Sequence, residues 1–310
     1  MVAQTMNESL DIQKDRVCED FAKAASSYDA AAIVQHAVCE RTLERVDMLK
    51  LQPGIVLDVG TATGRSLKGL ASRFLESTMI ACDLALPMLL HCRQHHAAGR
   101  TGWLVCSDAE QLPFAEGSVD LVFSTSTFQW CEDLPRALSE CRRVLHENGV
   151  LVFSTFGPDT LLQLRHSFAQ VDEFQHVHEF IDMHHIGDMM MEAGFADPVV
   201  DMEIIDIQYQ SVRQLLQDLK DTGSRGKFGP ARAKPAGLMG KRKYRSLVQA
   251  YEEYRQENGL LPASYEVIYG YARKPAGHET RSSGNREVKV PVSGIGRFKQ
   301  TGQEFGTGDR

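Results

Sequence analysis

The sequence has no long apolar run and no cysteine pair of the kind that binds metals or forms redox centres. No window of 18 residues is apolar throughout, and residues 1–15 contain no apolar stretch of the signal-peptide type. We therefore expect neither a membrane span nor a membrane partner, and we expect a cytoplasmic protein. The seven cysteines are an odd number without a C-x-x-C pair, which indicates reduced thiols packed as small apolar side chains.

Metal sites and activated nucleophiles are also missing. Histidines cluster in residues 91–96 and 176–185, but neither cluster has a credible set of ligands, so a solvated helix face and a histidine-rich loop are the better interpretations. We predict no bound metal. The chain shows no Ser-His-Asp or Cys-His arrangement. Its net charge is −7, and no recognisable RNA-binding module is present, so we predict no nucleic-acid partner.

The most informative segment that is present has the pattern D-x-G-x-A-x-G, formed by Asp58, Gly60, Ala62 and Gly64. The apolar residues around Asp58 predict a buried parallel strand, and the glycines allow a tight turn where backbone N–H groups approach a ligand before a helix begins. This is the usual nucleotide-binding corner of a doubly wound sheet. Ala62 disfavours a positive φ, so it weakens binding if the position needs left-handed backbone and is harmless if it does not.

Two further acids follow the strands that come next in the chain. Asp83 ends the apolar run 79–83, about 20 residues after the glycine turn, where a ribose-binding carboxylate belongs. Asp108 lies in a third such segment, residues 103–114. Each of Asp58, Asp83 and Asp108 alone has a plainer interpretation as a strand-end cap or turn former. Three together, at the ends of successive strands, favour a ligand site.

These motifs resemble those of class I S-adenosylmethionine (SAM) methyltransferases, in which a glycine usually stands at the position of Ala62. The resemblance implies that SAM is the cofactor. It also implies that Asp83 holds both ribose hydroxyls, because an ionised carboxylate has acceptors for two donors, and that Asp108 and Ala109 contact the adenine. The cofactor-binding candidates are Asp58, Gly60, Ala62, Gly64, Asp83, Leu84, Asp108, Ala109 and Ser124.

The alternation of strands and helices, with 43% apolar residues, favours one large core with appendages. The predicted fold class is α/β, with a Rossmann-like, seven-stranded class I methyltransferase sheet. We expect N-terminal lid helices in residues 1–50 and a methyltransferase domain over 51–273 with a helical insertion at 211–258. The polar tail over 274–310 is expected to be disordered. The later predicted strands are 118–124, 150–154, 199–209 and 265–271, the last two antiparallel.

Two N-terminal helices are predicted at residues 17–27 and 31–49, with a break at 27–29. Such helices can lie over a cofactor, which would make Tyr28 a lid residue rather than an ordinary boundary aromatic. Past the end of the fourth strand, Phe128 and Trp130 can wall a dry pocket for the methyl group, although large aromatics are more often core residues.

A basic segment stands out in this acidic chain. Between Asp221 and Glu252 there is no acid, but there are eight bases. The segment can attract a polyanion, and a solvated charge run is the alternative. The bases are Arg225, Lys227, Arg232, Lys234, Lys241, Arg242, Lys243 and Arg245.

Several segments beyond the cofactor motifs resemble the malonyl-acyl carrier protein O-methyltransferase (BioC) family of biotin synthesis. They are residues 21–29, 128–130, 156–161, 219–223, 237–241 and 262–270. The resemblance implies methyl transfer from SAM to the free carboxylate of a malonyl thioester. A carboxylate with a pKa near ~4 is already ionised, so no general base is needed and positioning dominates.

The resemblance also implies a partner, an acyl carrier protein bearing malonyl-phosphopantetheine, with coenzyme A left open as the carrier. Lys241, Arg242, Lys243 and Arg245 are then the docking candidates for the acidic carrier. We predict that Arg165 and Tyr28 position the malonyl carboxylate, with Trp130 beside them; a surface arginine on a helix is the alternative for Arg165.

Competing functions come from two classes. Another small-molecule methyltransferase, acting on a quinone or phenol, commonly needs a base, and the sequence offers only unplaced histidines. Complex I assembly factors resemble the same fold and do not methylate their target; Ala62 and Arg165 favour this alternative. An RNA methyltransferase is suggested only by the basic segment.

Overall fold

Seven strands form one mixed sheet in the order β3-β2-β1-β4-β5-β7-β6. The computed structural model describes residues 14–95, 101–224 and 240–276. β1 to β5 run parallel, and β7 is antiparallel to both β5 and β6. The predicted seven-stranded sheet is therefore confirmed. The strands are β1 Ile55–Val59, β2 Thr78–Asp83, β3 Thr101–Cys106, β4 Val119–Thr125, β5 Leu145–Phe156, β6 Ala196–Tyr209 and β7 Leu261–Arg273.

Ten helices of the described residues surround this sheet. They are α1 Lys14–Ala24, α2 Tyr28–Ala31, α3 Ile33–Met48, α4 Arg65–Arg73, α5 Leu86–His95, α6 Leu134–Val144, α7 Leu162–Ala169, α8 Met183–Glu192, α9 Val212–Asp221 and α10 Lys241–Glu252. None of the helices in this part of the chain has the length and apolarity required to cross a bilayer.

Successive side chains of the parallel strands alternate between the two faces of the sheet, and helices cover both faces, so both sets of side chains are buried. Leu57 and Val122 pack with α6 and α8 on one face. Val56 and Leu121 pack with α3 and α4 on the other. A third cluster joins α7, α9 and α10 to the start of β7. This arrangement leaves the carboxyl ends of β1 to β4 facing α1 and α2.

The break between the N-terminal helices lies earlier than the predicted residues 27–29, because α1 ends at Ala24 and Tyr28–Ala31 forms the short helix α2. A tertiary contact supports it: the Ser27 hydroxyl donates to the backbone oxygen of Asp221 at the end of α9 (3.0 Å). β5 also begins five residues earlier than predicted, and Asn148 within it has a φ of +64°. Half of the basic segment (225–239) and the predicted tail from 277 onward lie outside the described residues.

Candidate active site

A cleft opens at the carboxyl ends of the parallel strands, beneath α1. It encloses about 840 Å³ of empty space, including the part that is open to solvent. Its lining includes Lys14, Phe21, Tyr28, Gly60, Ala62, Asp83, Leu84, Met88, Asp108, Ala109, Ser126, Gln129, Trp130 and Ser224. The structure thus brings together candidates that lie more than a hundred residues apart in the sequence.

The turn after β1 requires glycine at two positions. Gly60 has a φ of +74°, and a β-carbon there would overlap the Thr127 side chain. Gly64 has a φ of +91°, and a β-carbon there would overlap the Cys92 thiol. The first glycine lets the turn pass close to the segment after β4. The second lets α4 start against α5.

Ala62 has a φ of +48°, so this position does adopt the left-handed backbone that alanine disfavours. Its amide N–H donates to Asp83 Oδ2 (2.8 Å), which helps to hold the residue in that conformation. The alanine therefore carries local strain at the cleft wall. The backbone geometry expected of a glycine at this point is nevertheless present.

Asp83 faces the cleft from the end of β2. Oδ2 accepts the Ala62 amide, and Oδ1 accepts the amide of Ala85 (2.8 Å). Each oxygen keeps a second acceptor position, so the carboxylate can still receive two hydroxyl donors. Burial raises the pKa of Asp83 to about 6, and the two amide hydrogen bonds oppose that rise.

Three cofactor candidates lie outside the residues that line the cleft. Asp58 is buried and accepts a hydrogen bond from the Ser66 hydroxyl on α4; burial raises its pKa to about 6. The Ser124 hydroxyl is buried and donates to the Val59 backbone oxygen (2.8 Å). Gly64 is the third. Where the structure places them, these residues fix the turn and the strand ends that carry the cleft.

The adenine candidate Asp108 is paired with a cation that the sequence did not single out. Lys14 Nζ lies 2.6 Å from Asp108 Oδ2 and 2.7 Å from Glu110 Oε2. Burial by itself would lower the pKa of Lys14, but the hydrogen bonds to both carboxylates outweigh it and raise the pKa. A lone lysine at the start of a charged helix gives no sequence signal. These two ion pairs connect α1 to the segment that follows β3, on the other side of the cleft.

Aromatic side chains close the other end of the cleft. Phe21 of α1 meets Trp130 edge-on, with ring centroids 5.3 Å apart, and its ring lies 6.4 Å from that of Tyr28. Burial and the nearby carboxylate of Asp83 raise the pKa of Tyr28 well above its usual value. The phenol therefore stays protonated near neutral pH and is available as a hydrogen-bond donor.

These residues fit SAM. Asp83 has acceptors for two ribose hydroxyls, and the turn at Gly60 leaves room that a β-carbon would fill. Asp108 and Ala109 also line the cleft and offer a carboxylate and a backbone edge to an adenine, and Leu84 and Met88 add apolar surface. In the parts of the chain that are described, no group of three or more His, Cys, Asp or Glu side chains is arranged to hold a metal ion.

Arg165 is placed differently from the expectation that it faces the pocket. α7 starts after Leu161, whose φ is +55°, and the Arg165 guanidinium folds back onto the preceding turn. It donates to the backbone oxygens of Pro158 and Thr160 (3.1 Å for Thr160) and is not among the residues that line the cleft. Its role toward a substrate carboxylate stays a prediction.

The docking candidates begin α10. Lys241, Arg242, Lys243 and Arg245 are all exposed, and Lys243 Nζ is in addition paired with Asp172 Oδ2 (2.8 Å). Ser224, which lines the cleft, is the last described residue before segment 225–239. The basic segment therefore starts at the cleft.

Comparison with known proteins places this site in context. A family model described as a methyltransferase domain matches residues 57–153. A malonyl-acyl carrier protein O-methyltransferase from Gallionella capsiferriformans is 44% identical over 282 residues, covering 87% of this chain and 94% of the relative. Malonyl-acyl carrier protein O-methyltransferase 1 from Coxiella burnetii is 41% identical, with coverages of 88% and 92%. The solved structure of YcgJ from Bacillus subtilis has a TM-score of 0.55 at 16% identity, covering 77% of this chain and all of YcgJ (100%), and so shares the fold.

Proposed function

Because this chain belongs to the malonyl-acyl carrier protein O-methyltransferase family, we propose that it methylates the free carboxylate of a malonyl thioester carried by acyl carrier protein. The methyl donor is SAM, and the product is the methyl ester used to begin the pimeloyl part of biotin. The observation that carries the substrate assignment is 44% identity along 94% of a relative bearing that name. The cleft around Asp83 supports the donor.

The chain's residues act by binding and orientation. When bound, SAM would supply an activated sulfonium methyl group: a carboxylate oxygen of the substrate would form the new O–C bond with its own electron pair, while the C–S bond breaks and its electron pair stays on sulfur. The attacking carboxylate has a pKa near ~4 and needs no base. The absence of a Ser-His-Asp or Cys-His arrangement in the sequence agrees with this chemistry.

Individual roles follow from position. Asp83 binds the ribose hydroxyls, Asp108 and Ala109 bind the adenine, and Phe21 with Trp130 excludes water from the transfer. Tyr28 supplies a protonated phenol to the substrate end of the cleft. Excluding water keeps the carboxylate poorly solvated and reactive.

We also propose that the exposed bases at the start of α10 dock the acidic carrier. Lys241, Arg242 and Arg245 are exposed in the first turns of α10, where an acidic carrier can reach them. Contacts of this kind speed association and are screened by salt.

Labelled SAM and purified protein test the function directly. We expect label to appear as a methyl ester on malonyl-acyl carrier protein, less on malonyl-coenzyme A, and none on free malonate. Asp83→Asn, which keeps the shape but removes the charge, should weaken SAM binding and slow transfer together. Absence of label on every thioester, with the protein folded and SAM bound, would refute the proposal.

A charge-reversal series tests the docking surface. Changing Lys241, Arg242 and Arg245 to Glu should raise the KM for malonyl-acyl carrier protein and leave that for malonyl-coenzyme A and the Kd for SAM unchanged. Lys68→Glu, an exposed lysine on α4, is the matched control. Equal KM values for the carrier substrate in the triple variant and the control would count against docking at α10.

A further inference from the structure

The residue immediately after β4 has an unusual backbone. Ser126 lines the cleft and has a φ of +51°. Left-handed backbone is uncommon outside glycine, asparagine and aspartate, and it persists where the surroundings hold it. Such conformations are concentrated at functional sites, where an observed outlier is a reason to look for a role.

Both polar backbone groups of Ser126 are tied to the end of β5. Its N–H donates to the Ser154 backbone oxygen (3.0 Å), and its own carbonyl oxygen accepts from Gln129 Nε2 (2.7 Å). Gln129 is buried, and its Oε1 accepts from the Thr155 hydroxyl (3.2 Å). The conformation of Ser126 is therefore fixed by a chain of hydrogen bonds.

The Ser126 hydroxyl has no such tie. Its Oγ is buried and has no hydrogen-bond partner among the described residues. Buried polar groups in native proteins are nearly always paired, so an unpaired hydroxyl on a cleft wall requires an explanation. Because the hydroxyl has no partner, rotation about the Cα–Cβ bond breaks no hydrogen bond.

The cleft also needs a donor for a carboxylate. Of the described residues that line it, Lys14 is the cation, and Asp108 and Glu110 already hold it. A substrate carboxylate at the Trp130 end therefore meets neutral donors. A neutral hydroxyl can orient one carboxylate oxygen and leave the other oxygen free.

We propose that the Ser126 hydroxyl turns into the cleft and donates to one oxygen of the substrate carboxylate, while the other oxygen attacks the methyl group. Gln129 is then a positioning residue, which acts by holding the Ser126 backbone. This inference rests on the proposed function and names the contact that distinguishes a malonyl thioester from one without a free carboxylate.

Two thioesters on the same carrier test the contact. In Ser126→Ala, kcat/KM for malonyl transfer should fall about tenfold to a hundredfold, the usual worth of a hydrogen bond to a charged group. The SAM Kd should stay within about twofold. The carrier's acetyl thioester, which lacks the carboxylate, serves as a competitive inhibitor. Wild type should bind the malonyl form more tightly than the acetyl form, and Ser126→Ala should lose most of that ratio.

Ser118→Ala is the matched control, because Ser118 lies just before the opposite end of β4 and its hydroxyl donates to the Ala115 backbone oxygen. An unchanged malonyl-to-acetyl ratio and kcat/KM in Ser126→Ala, with an active wild type, would overturn this inference alone. A wild type that methylates no thioester would overturn the proposed function and this inference together.

Two more variants separate positioning from simple stability. Ser126→Gly removes the hydroxyl and suits the left-handed backbone, so its melting temperature should rise while kcat/KM falls. Gln129→Met removes both amide hydrogen bonds at similar volume and should lower the malonyl-to-acetyl ratio. A fall in melting temperature with no change in that ratio would show that Gln129 is only structural.

Discussion

Replacing Ala62 with glycine should make the protein slightly more stable and leave SAM binding intact. Ala62 has a φ of +48°, and an L-residue with left-handed backbone costs about 1–2 kcal/mol. Glycine removes that cost but lowers stability by about 0.4–1 kcal/mol, because the unfolded chain gains freedom. A lost methyl contact with the cluster around Met88 offsets part of the remainder.

The net gain is about 0.5 kcal/mol, which corresponds to a rise of about 1–2 °C in melting temperature for a domain of this size. The amide of Ala62 still donates to Asp83, so the SAM Kd should change by less than about threefold, which is less than one hydrogen bond is worth.

Differential scanning fluorimetry and calorimetric titration with SAM measure both quantities. Ala71→Gly in α4 is the matched control, since Ala71 is also partly buried but lies in a helix, where the same change costs about 0.5–1 kcal/mol. The two variants should shift in opposite directions. If Ala62→Gly is destabilised as much as Ala71→Gly, the strain assigned to Ala62 is wrong.

Three further predictions concern charge. SAM affinity should fall as the pH drops through about 6, because Asp83, whose pKa is about 6, loses an acceptor on protonation; Asp83→Asn should remove this dependence in titrations from pH 5 to 8. The ligand-free protein should respond in the opposite sense. Burial raises the folded-state pKa of Asp58 and Asp83 above 3.8. The folded state therefore binds more protons than the unfolded state, and these two groups add stability as the pH falls from about 7 towards 4. The wild-type melting temperature should rise over this pH range, and that of the double variant Asp58→Asn/Asp83→Asn should stay constant. Lys14→Met should leave the buried Glu110 without its cation and cost about 1–3 kcal/mol of folding free energy. It should also speed amide hydrogen exchange in α1, and unchanged exchange there would show that the Lys14 ion pair does not hold α1 in place.

The strand and turn pattern of the sequence predicted the individual strands and the turn at Gly60, because apolar periodicity and glycine conformation are local properties. The resemblance to class I methyltransferases supplied the seven-stranded sheet. Asp83 and Asp108 were identified from the strand pattern together with the resemblance: Asp83 ends β2, Asp108 lies two residues beyond the end of β3, and parallel strands end at one edge. The β1 end also predicted Asp58, but its placement behind the turn depends on its contact with Ser66 in α4.

Only the tertiary structure decided which side chains meet across the cleft. Lys14 reaches Asp108 over 94 positions of the chain, and the backbone of Ser126 is fixed by Ser154 and Gln129 together. Contacts of this kind depend on how α1 and β5 pack against the rest of the sheet. The presence of a lysine at position 14 or a serine at position 126 in the sequence does not indicate which distant residues it contacts.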